Sequence, residues 1–202
     1  ASDGIGIGTA VIVEEAELII TRREVNDTEA EVQRFKGALE TTIAETQKMA
    51  EDLAARVGEK EAEIMQGHMM LLSDPMLTGE IENSIQNDKV NSEFAIENVC
   101  NMYADMFASM GDELMQQRAT DMRDIKVRMQ RTLMGLQSVD VSALPAGTIL
   151  VAKDLTPSMT AGINPANVTG IVTELGGRTS HSAILARALE IPAVVAVNGL
   201  LD

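Results

Sequence analysis

Residues 176–187 read GGRTSHSAILAR, and His181 within them is one of only two histidines in the chain. Two glycines, an arginine and three hydroxyl side chains crowd around it, where an apolar helical pattern begins. A strand predicted over 170–175 and a helix from about Ser180 put His181 in a first turn, where backbone N–H groups lack partners within the helix. Such an end attracts anions. Gly176 and Gly177 let a ligand approach the backbone, Arg178 offers a planar fork to phosphate oxygens, and Thr179, Ser180 and Ser182 add hydroxyl donors. A neutral imidazole among such groups can take a phosphoryl group on a ring nitrogen, with positioning and charge neutralisation as the protein's contribution. The same residues also spell an ordinary helix start: Thr179 or Ser180 as N-cap, the glycines as a tight turn, His181 with no chemistry. A nucleophilic serine is a further reading, but the G-x-S-x-G elbow is absent and no second histidine is placed to activate one. Residue types leave cap and reaction centre both open.

The elements that must hold this loop have a parallel α/β pattern. TILVAKD (148–154) and VTGIVTEL (168–175) read as strands, with a short helix predicted from Pro157 to Gly162 between them. The helix after the loop runs to about Leu189, and IPAVVAV gives another strand. At the other end, GIGIGTAVIVEEAELIIT reads as short strands with a turn around Glu14 to Glu17. Glycines 4, 6 and 8 precede any strand, so they suit a close backbone crossing better than a dinucleotide fingerprint. Between these flanks, residues 26–137 read as successive helices. Thr28 with Glu31 suggests a capping box, Asp74 and Pro75 mark a fresh start, and Asn91 or Ser92 opens another helix. The fold expected is α/β plus all-α. Residues 1–25 and 138–202 form one discontinuous α/β domain, ending early at Asp202, and 26–137 form an inserted helical bundle.

Composition narrows the partners. The chain has 202 residues, 45% apolar, with 16 basic against 31 acidic side chains and a formal net charge of -15. That balance repels phosphate backbones and anionic lipid, which excludes nucleic acid as a partner and favours a basic protein. The helical segment 27–137 carries 12 of the 13 Met and 11 basic against 21 acidic residues, so the adaptable apolar surface and the negative charge coincide. Cys100 is the only cysteine, which rules out an internal disulfide and a thiolate zinc site. No run approaches the roughly 20 apolar residues of a membrane span, and the N-terminus shows no secretory pattern. The cytoplasm is the expected compartment, with no membrane insertion.

GGRTSHSAILARALEIPAVV resembles the phosphohistidine signature of the phosphoenolpyruvate-utilising enzymes. Together with GIGIGTA, GHMMLLSDP, RATDMRDIKVRM and VAKDLTPSMTAG, in that order, the whole chain resembles the N-terminal part of the Enzyme I family of the bacterial phosphoenolpyruvate:sugar phosphotransferase system. The resemblance implies an α/β swivelling phosphohistidine domain carrying a helical domain that binds the small carrier HPr. It implies a transferase in which His181 takes a phosphoryl group from phosphoenolpyruvate and passes it to a histidine of HPr. Thr160, 21 residues before His181, matches a threonine that lies close to the active imidazole. Arg178, Thr179 and Ser180, with Gly176 and Gly177, would complete the phosphate loop. No cofactor or metal site is expected within this chain. Mg²⁺ and phosphoenolpyruvate would be bound by a C-terminal barrel domain that also makes a homodimer, leaving these residues monomeric and able only to exchange phosphate with HPr. Two alternatives stand beside this: the phosphohistidine domain of another phosphoenolpyruvate-utilising enzyme, and a non-catalytic helical docking module.

His68 shares a helix face with Ile64, Met65, Leu71 and Leu72, which is the pattern of a core or boundary residue. The resemblance places the same segment at the HPr surface, with His68, Met70, Leu71 and Asp74 as contacts. It also places Arg118 near the active histidine and the carrier. The bland reading of Arg118, Asp121, Arg123 and Asp124 is a solvated face of exposed ion pairs, each worth less than about 1 kcal/mol. At Lys60 and Glu61 the charge order departs from the family's, so no family salt bridge is transferred there.

Overall fold

The computed structural model describes all 202 residues, which divide into two compact units. One consists of residues 17–48 and 64–138, the other of 1–16, 49–63 and 139–202.

The first unit is helical. It takes most of α1 (Thr28–Arg56), the larger part of α2 (Glu59–Leu72), and all of α3 (Pro75–Asp88), α4 (Ser92–Ser109) and α5 (Glu113–Met134). Val32, Phe35, Leu39 and Ile43 recur every three or four residues along α1 and pack with Leu72, Ile81, Ile96, Met122 and Met129 in one core. Fully burying a side chain of this size contributes about 1.5–3 kcal/mol, so this core is the unit's main stabilising term. The opposite flank of α5 is also buried but charged, through Asp121, Asp124, Arg128 and Arg131. Arg128 donates to Thr46 Oγ1 at 2.8 Å, and burial lowers its pKa against the pull of Asp124 and Glu45. Asp74 caps α3 ahead of Pro75 as expected, accepting from the Met76 amide at 2.9 Å. The cap of α1 is Asp27, not Thr28: Asp27 accepts from the Ala30 amide. Glu31 is drawn away from a capping box to the Ser92 amide and Arg34. Asn91 opens α4 without capping it, because its amide is spent on the Arg23 amide and the Thr21 carbonyl.

The second unit is α/β. Its sheet has four parallel strands in the order β1 (Thr9–Ile12), β2 (Thr148–Ala152), β3 (Val168–Thr173) and β4 (Ala193–Val194). Leu150, Ile171, Val168 and Ala193 face a core closed by Met159, Ile163 and Ala186, the last from α7 (His181–Ala188) and the first from α6 (Pro157–Ala161). The early glycines make the close crossing anticipated from their spacing. A Cβ on Gly6 would collide with the Thr169 carbonyl, and one on Gly8 with that of Gly147.

Three boundaries differ from the sequence reading. Leu18 to Ile20 form no strand, and Ile19 lies exposed. Residues 17–25 group with the helical unit, because the Val25 amide donates to Lys89 and the Asn91 amide to Arg23. Residues 49–63, read from periodicity as part of the helical domain, group with the α/β unit. No helix is long and apolar enough to cross a membrane.

Candidate active site

The loop around His181 leaves the sheet from β3, an interior strand paired on both edges. Its exit is fixed by two bonds: the Leu175 amide donates to Lys153 at 2.8 Å, and Thr173 Oγ1 donates to the Leu175 carbonyl at 2.6 Å. Gly176 follows with φ +102°, a conformation that L side chains rarely adopt, and this turns the chain into the loop. Gly177 has open space where a Cβ would stand. Gly176, Gly177, Arg178 and Thr179 are all exposed.

Ser180 closes the loop. It is the N-cap of α7, accepting from the Ala183 amide at 3.3 Å, while its hydroxyl donates to the Gly177 carbonyl at 2.8 Å and lies 3.0 Å from the Ser182 hydroxyl. Arg187, one face further along α7, donates to the Arg178 carbonyl at 3.0 Å. The loop is therefore pinned from inside by Ser180 and from the helix by Arg187. His181 is the first residue of α7, half-buried, with both ring nitrogens shielded from solvent. Of the two cap candidates in the sequence, Thr179 and Ser180, the geometry selects Ser180, and a capped helix start is compatible with either reading of His181.

Thr160 sits on α6, which packs against α7. The helix is five residues long, capped by Thr156, whose hydroxyl accepts from the Met159 amide, and started by Pro157. Thr160 is buried and its hydroxyl donates to the Thr156 carbonyl at 2.7 Å. With that proton committed, Oγ1 keeps acceptor capacity, which suits it to receive an imidazole N–H and thereby fix a tautomer.

In the helical unit the second histidine departs from the docking expectation. His68 is fully buried, its Nε2 2.9 Å from Asp121 Oδ1 and its Nδ1 4.0 Å from Asp124 Oδ2. It ties α2 to α5 and has no surface to offer a partner. Asp121 and Asp124 are likewise buried, not part of a solvated face; Arg123 is exposed as expected. Their three-residue spacing opposite a lone histidine was the available signal, masked because charged residues so spaced normally face water. Met70 is 67% exposed, Leu71 packs partly against the core, and Asp74 is engaged as the cap of α3. Arg118 is half-buried and crosses α2 at Gly67, where a Cβ would stand 2.7 Å from its Nη1. Met76, Met102, Met106 and Met110 are also exposed; composition showed a Met-rich segment but not which sulfurs reach the surface.

The family description "PEP-utilising enzyme, N-terminal" matches residues 1–118, more than half of the chain, and "PEP-utilising enzyme, mobile domain" matches residues 144–202. The chain belongs to the PEP-utilising enzyme family. A phosphoenolpyruvate-protein phosphotransferase of Listeria monocytogenes is 46% identical over 195 residues, which cover 96% of this chain and 34% of that relative. The protein of the same name from Bacillus subtilis is 43% identical over the same shares. The chain thus spans about a third of the length of these curated relatives. A solution NMR structure of an Enzyme I protein shares the fold with TM-score 0.85 and 39% identity, covering 98% of this chain and 81% of that one. A second structure, the N-terminal domain of Enzyme 1 - Nitrogen, matches with TM-score 0.66 and 28% identity over 96% of this chain and 80% of its own. Within the PEP-utilising enzymes this chain therefore resembles the N-terminal part of Enzyme I, an α/β unit joined to a helical one.

Proposed function

We propose that this chain is the phosphoryl-carrying and carrier-docking part of an Enzyme I phosphotransferase, with His181 as the phosphorylated residue. One observation carries the reading: His181 opens α7 directly after a glycine loop in which Gly176, Gly177, Arg178 and Thr179 are exposed residues while Ser180 and Arg187 hold the loop's shape. The helix end and the arginine neutralise phosphate charge, and the capped turn fixes the imidazole's direction. The lone pair of a ring nitrogen attacks phosphorus in line, a P–N bond forms, and the bond to the donor breaks. From phosphoenolpyruvate the departing enolate takes a proton and becomes pyruvate; to HPr, the phosphoryl group moves between imidazoles and the released ring takes up the proton its partner lost.

The helical unit is proposed to dock HPr. Its support is the coincidence of strong negative charge with exposed Met70, Met76 and Met106, a combination that suits a basic partner with an apolar centre. Met70, Leu71, Asp74 and Arg118 stay as proposed contacts, and His68 acts from within as a strut. No three His, Cys, Asp or Glu side chains are grouped to hold a metal ion. The Mg²⁺ and phosphoenolpyruvate steps are assigned to a further C-terminal domain of the whole enzyme, a homodimer working in the cytoplasm.

The test mixes the chain with HPr phosphorylated beforehand and reads intact mass. Wild type is expected to gain one acid-labile, base-stable phosphate and His181→Ala none. A wild-type chain that binds HPr but never gains phosphate would favour the non-catalytic docking module instead.

A further inference from the structure

Arg56 ends α1, a helix whose sequence belongs to the helical tract, yet its guanidinium is occupied within the α/β unit. Nη1 donates to the Ile163 carbonyl, Nη2 donates to the Ala161 carbonyl at 2.5 Å, and Nε reaches the Asp52 carbonyl at 3.3 Å. Ala161 is the last residue of α6 and Ile163 lies just past its cap, Gly162. These are carbonyls at the end of a helix, where a cation also complements the helix dipole. The remaining closure of that end is local: the Gly162 amide bonds back to Met159 and Thr160.

A five-residue helix is far below the length at which helices persist on their own. It holds its place through what grips it from outside: Pro157, Met159, Thr160 and Ala161 are buried, and Arg56, itself exposed, adds charge-assisted bonds to two carbonyls at the helix's end. Thr160 stands one residue before Ala161, on the helix that packs against α7, whose first residue is His181.

We propose that Arg56 is a positioning residue for phosphoryl transfer, clamping the C-terminal end of α6 so that Thr160 is held against the helix that presents His181. The proposal rests on the phosphocarrier reading of His181. Losing the clamp lets α6 fray from its last turn, which displaces the Thr160 hydroxyl and leaves the imidazole's tautomer and direction less well defined. Carrier docking on the helical unit is not involved, so the defect falls on turnover and not on binding.

The experiment uses the full 202-residue chain as wild type, Arg56→Ala, Arg56→Lys, Thr160→Val and the double variant Arg56→Ala/Thr160→Val. Phosphate gain from phosphorylated HPr is measured over a range of HPr concentrations, and imidazole resonances are recorded on histidine-labelled protein, where two ring systems make a simple spectrum. Arg56→Ala is expected to lower kcat at least tenfold with KM within twofold, and to move the His181 resonances while those of His68 stay. Arg56→Lys, able to bond one carbonyl at a time, should recover part of the rate. The double variant should be no slower than the worse single one, because both changes disable the same contact. Unchanged kcat and His181 resonances in Arg56→Ala would overturn the proposal. So would a rate loss accompanied by shifted His68 resonances, which marks general unfolding. If wild type takes no phosphate, the phosphocarrier reading fails, while the His181 resonances still decide whether the clamp exists.

Discussion

Ser180 joins the cap of α7 to the shape of the phosphate loop, and two substitutions separate those roles. Removing an N-cap hydroxyl costs about 1 kcal/mol in a typical helix. Ser180 accepts from Ala183 at a long 3.3 Å but also donates to the Gly177 carbonyl at 2.8 Å, a bond worth about 1 kcal/mol more. Ser180→Ala should therefore weaken the first turn of α7 by about 2 kcal/mol, roughly a 30-fold loss of local protection. Ser180→Asp keeps a good N-cap and adds a charge the helix dipole favours, but its carboxylate cannot donate to the Gly177 carbonyl, so the turn should lose no more than about 1 kcal/mol. The same charge stands beside the proposed position of the phosphate.

Hydrogen exchange at the Ala183 and Ile184 amides, read beside phosphate gain from phosphorylated HPr, gives the two outcomes separately. Ser180→Ala is expected to exchange about 30-fold faster there and to keep part of its phosphate uptake. Ser180→Asp is expected to exchange no more than about fivefold faster than wild type and take up almost none, by like-charge repulsion close to phosphorus. Phosphate uptake in Ser180→Asp equal to wild type would falsify the assignment of this loop to phosphate. Normal exchange in Ser180→Ala would remove the cap from the account of how His181 is aimed.

Two further outcomes follow from buried groups of the helical unit. Burial works to raise the Glu93 carboxyl, but hydrogen bonds from Arg34 and Asn91 outweigh it and hold its pKa below the usual value. Its contribution to stability is thus full above the unfolded pKa and is lost as pH falls through the folded one. Arg34→Ala should destabilise the unit by about 2–3 kcal/mol at pH 7, less than for a fully buried pair because the Arg34 side chain is 36% exposed. The deficit should shrink toward pH 4 as the unpaired carboxyl takes a proton, and a deficit independent of pH would refute this account; fluorescence of Tyr103, the sole tyrosine, in a chain without Trp, reports the unfolding. Cys100 is pushed up to about 12, chiefly by burial, so its thiol should resist a disulfide reagent at pH 8 in the folded chain and react once in denaturant; reaction in native buffer would show that α4 opens.

What the sequence disclosed and withheld divides along a physical line. Strand and helix positions around His181 were legible because local rules set them: apolar runs for β2 and β3, Pro157 for α6, glycines followed by a cap for α7. The glycine crossing was legible too, since regularly spaced residues without Cβ just ahead of a strand suit a close approach of backbones. What failed depended on partners distant in sequence. Glu31 looked like half of a capping box until Ser92 and Arg34, brought up by folding, offered better donors. Asp121 and Asp124 looked solvated because nothing near them in sequence announces that His68, 53 residues before Asp121, lies against them in the interior. Arg56 shows the same limit most sharply. Arg56 is an exposed residue of α1, yet its guanidinium spends every donor nitrogen on carbonyls, two of them more than a hundred residues away. A side chain with five donors in a planar fork can satisfy a distant helix end, and no local pattern encodes which end it will find. The residue most exposed to that ambiguity is therefore the one whose substitution tests most directly whether the helical tract helps to set the chemistry of the α/β unit.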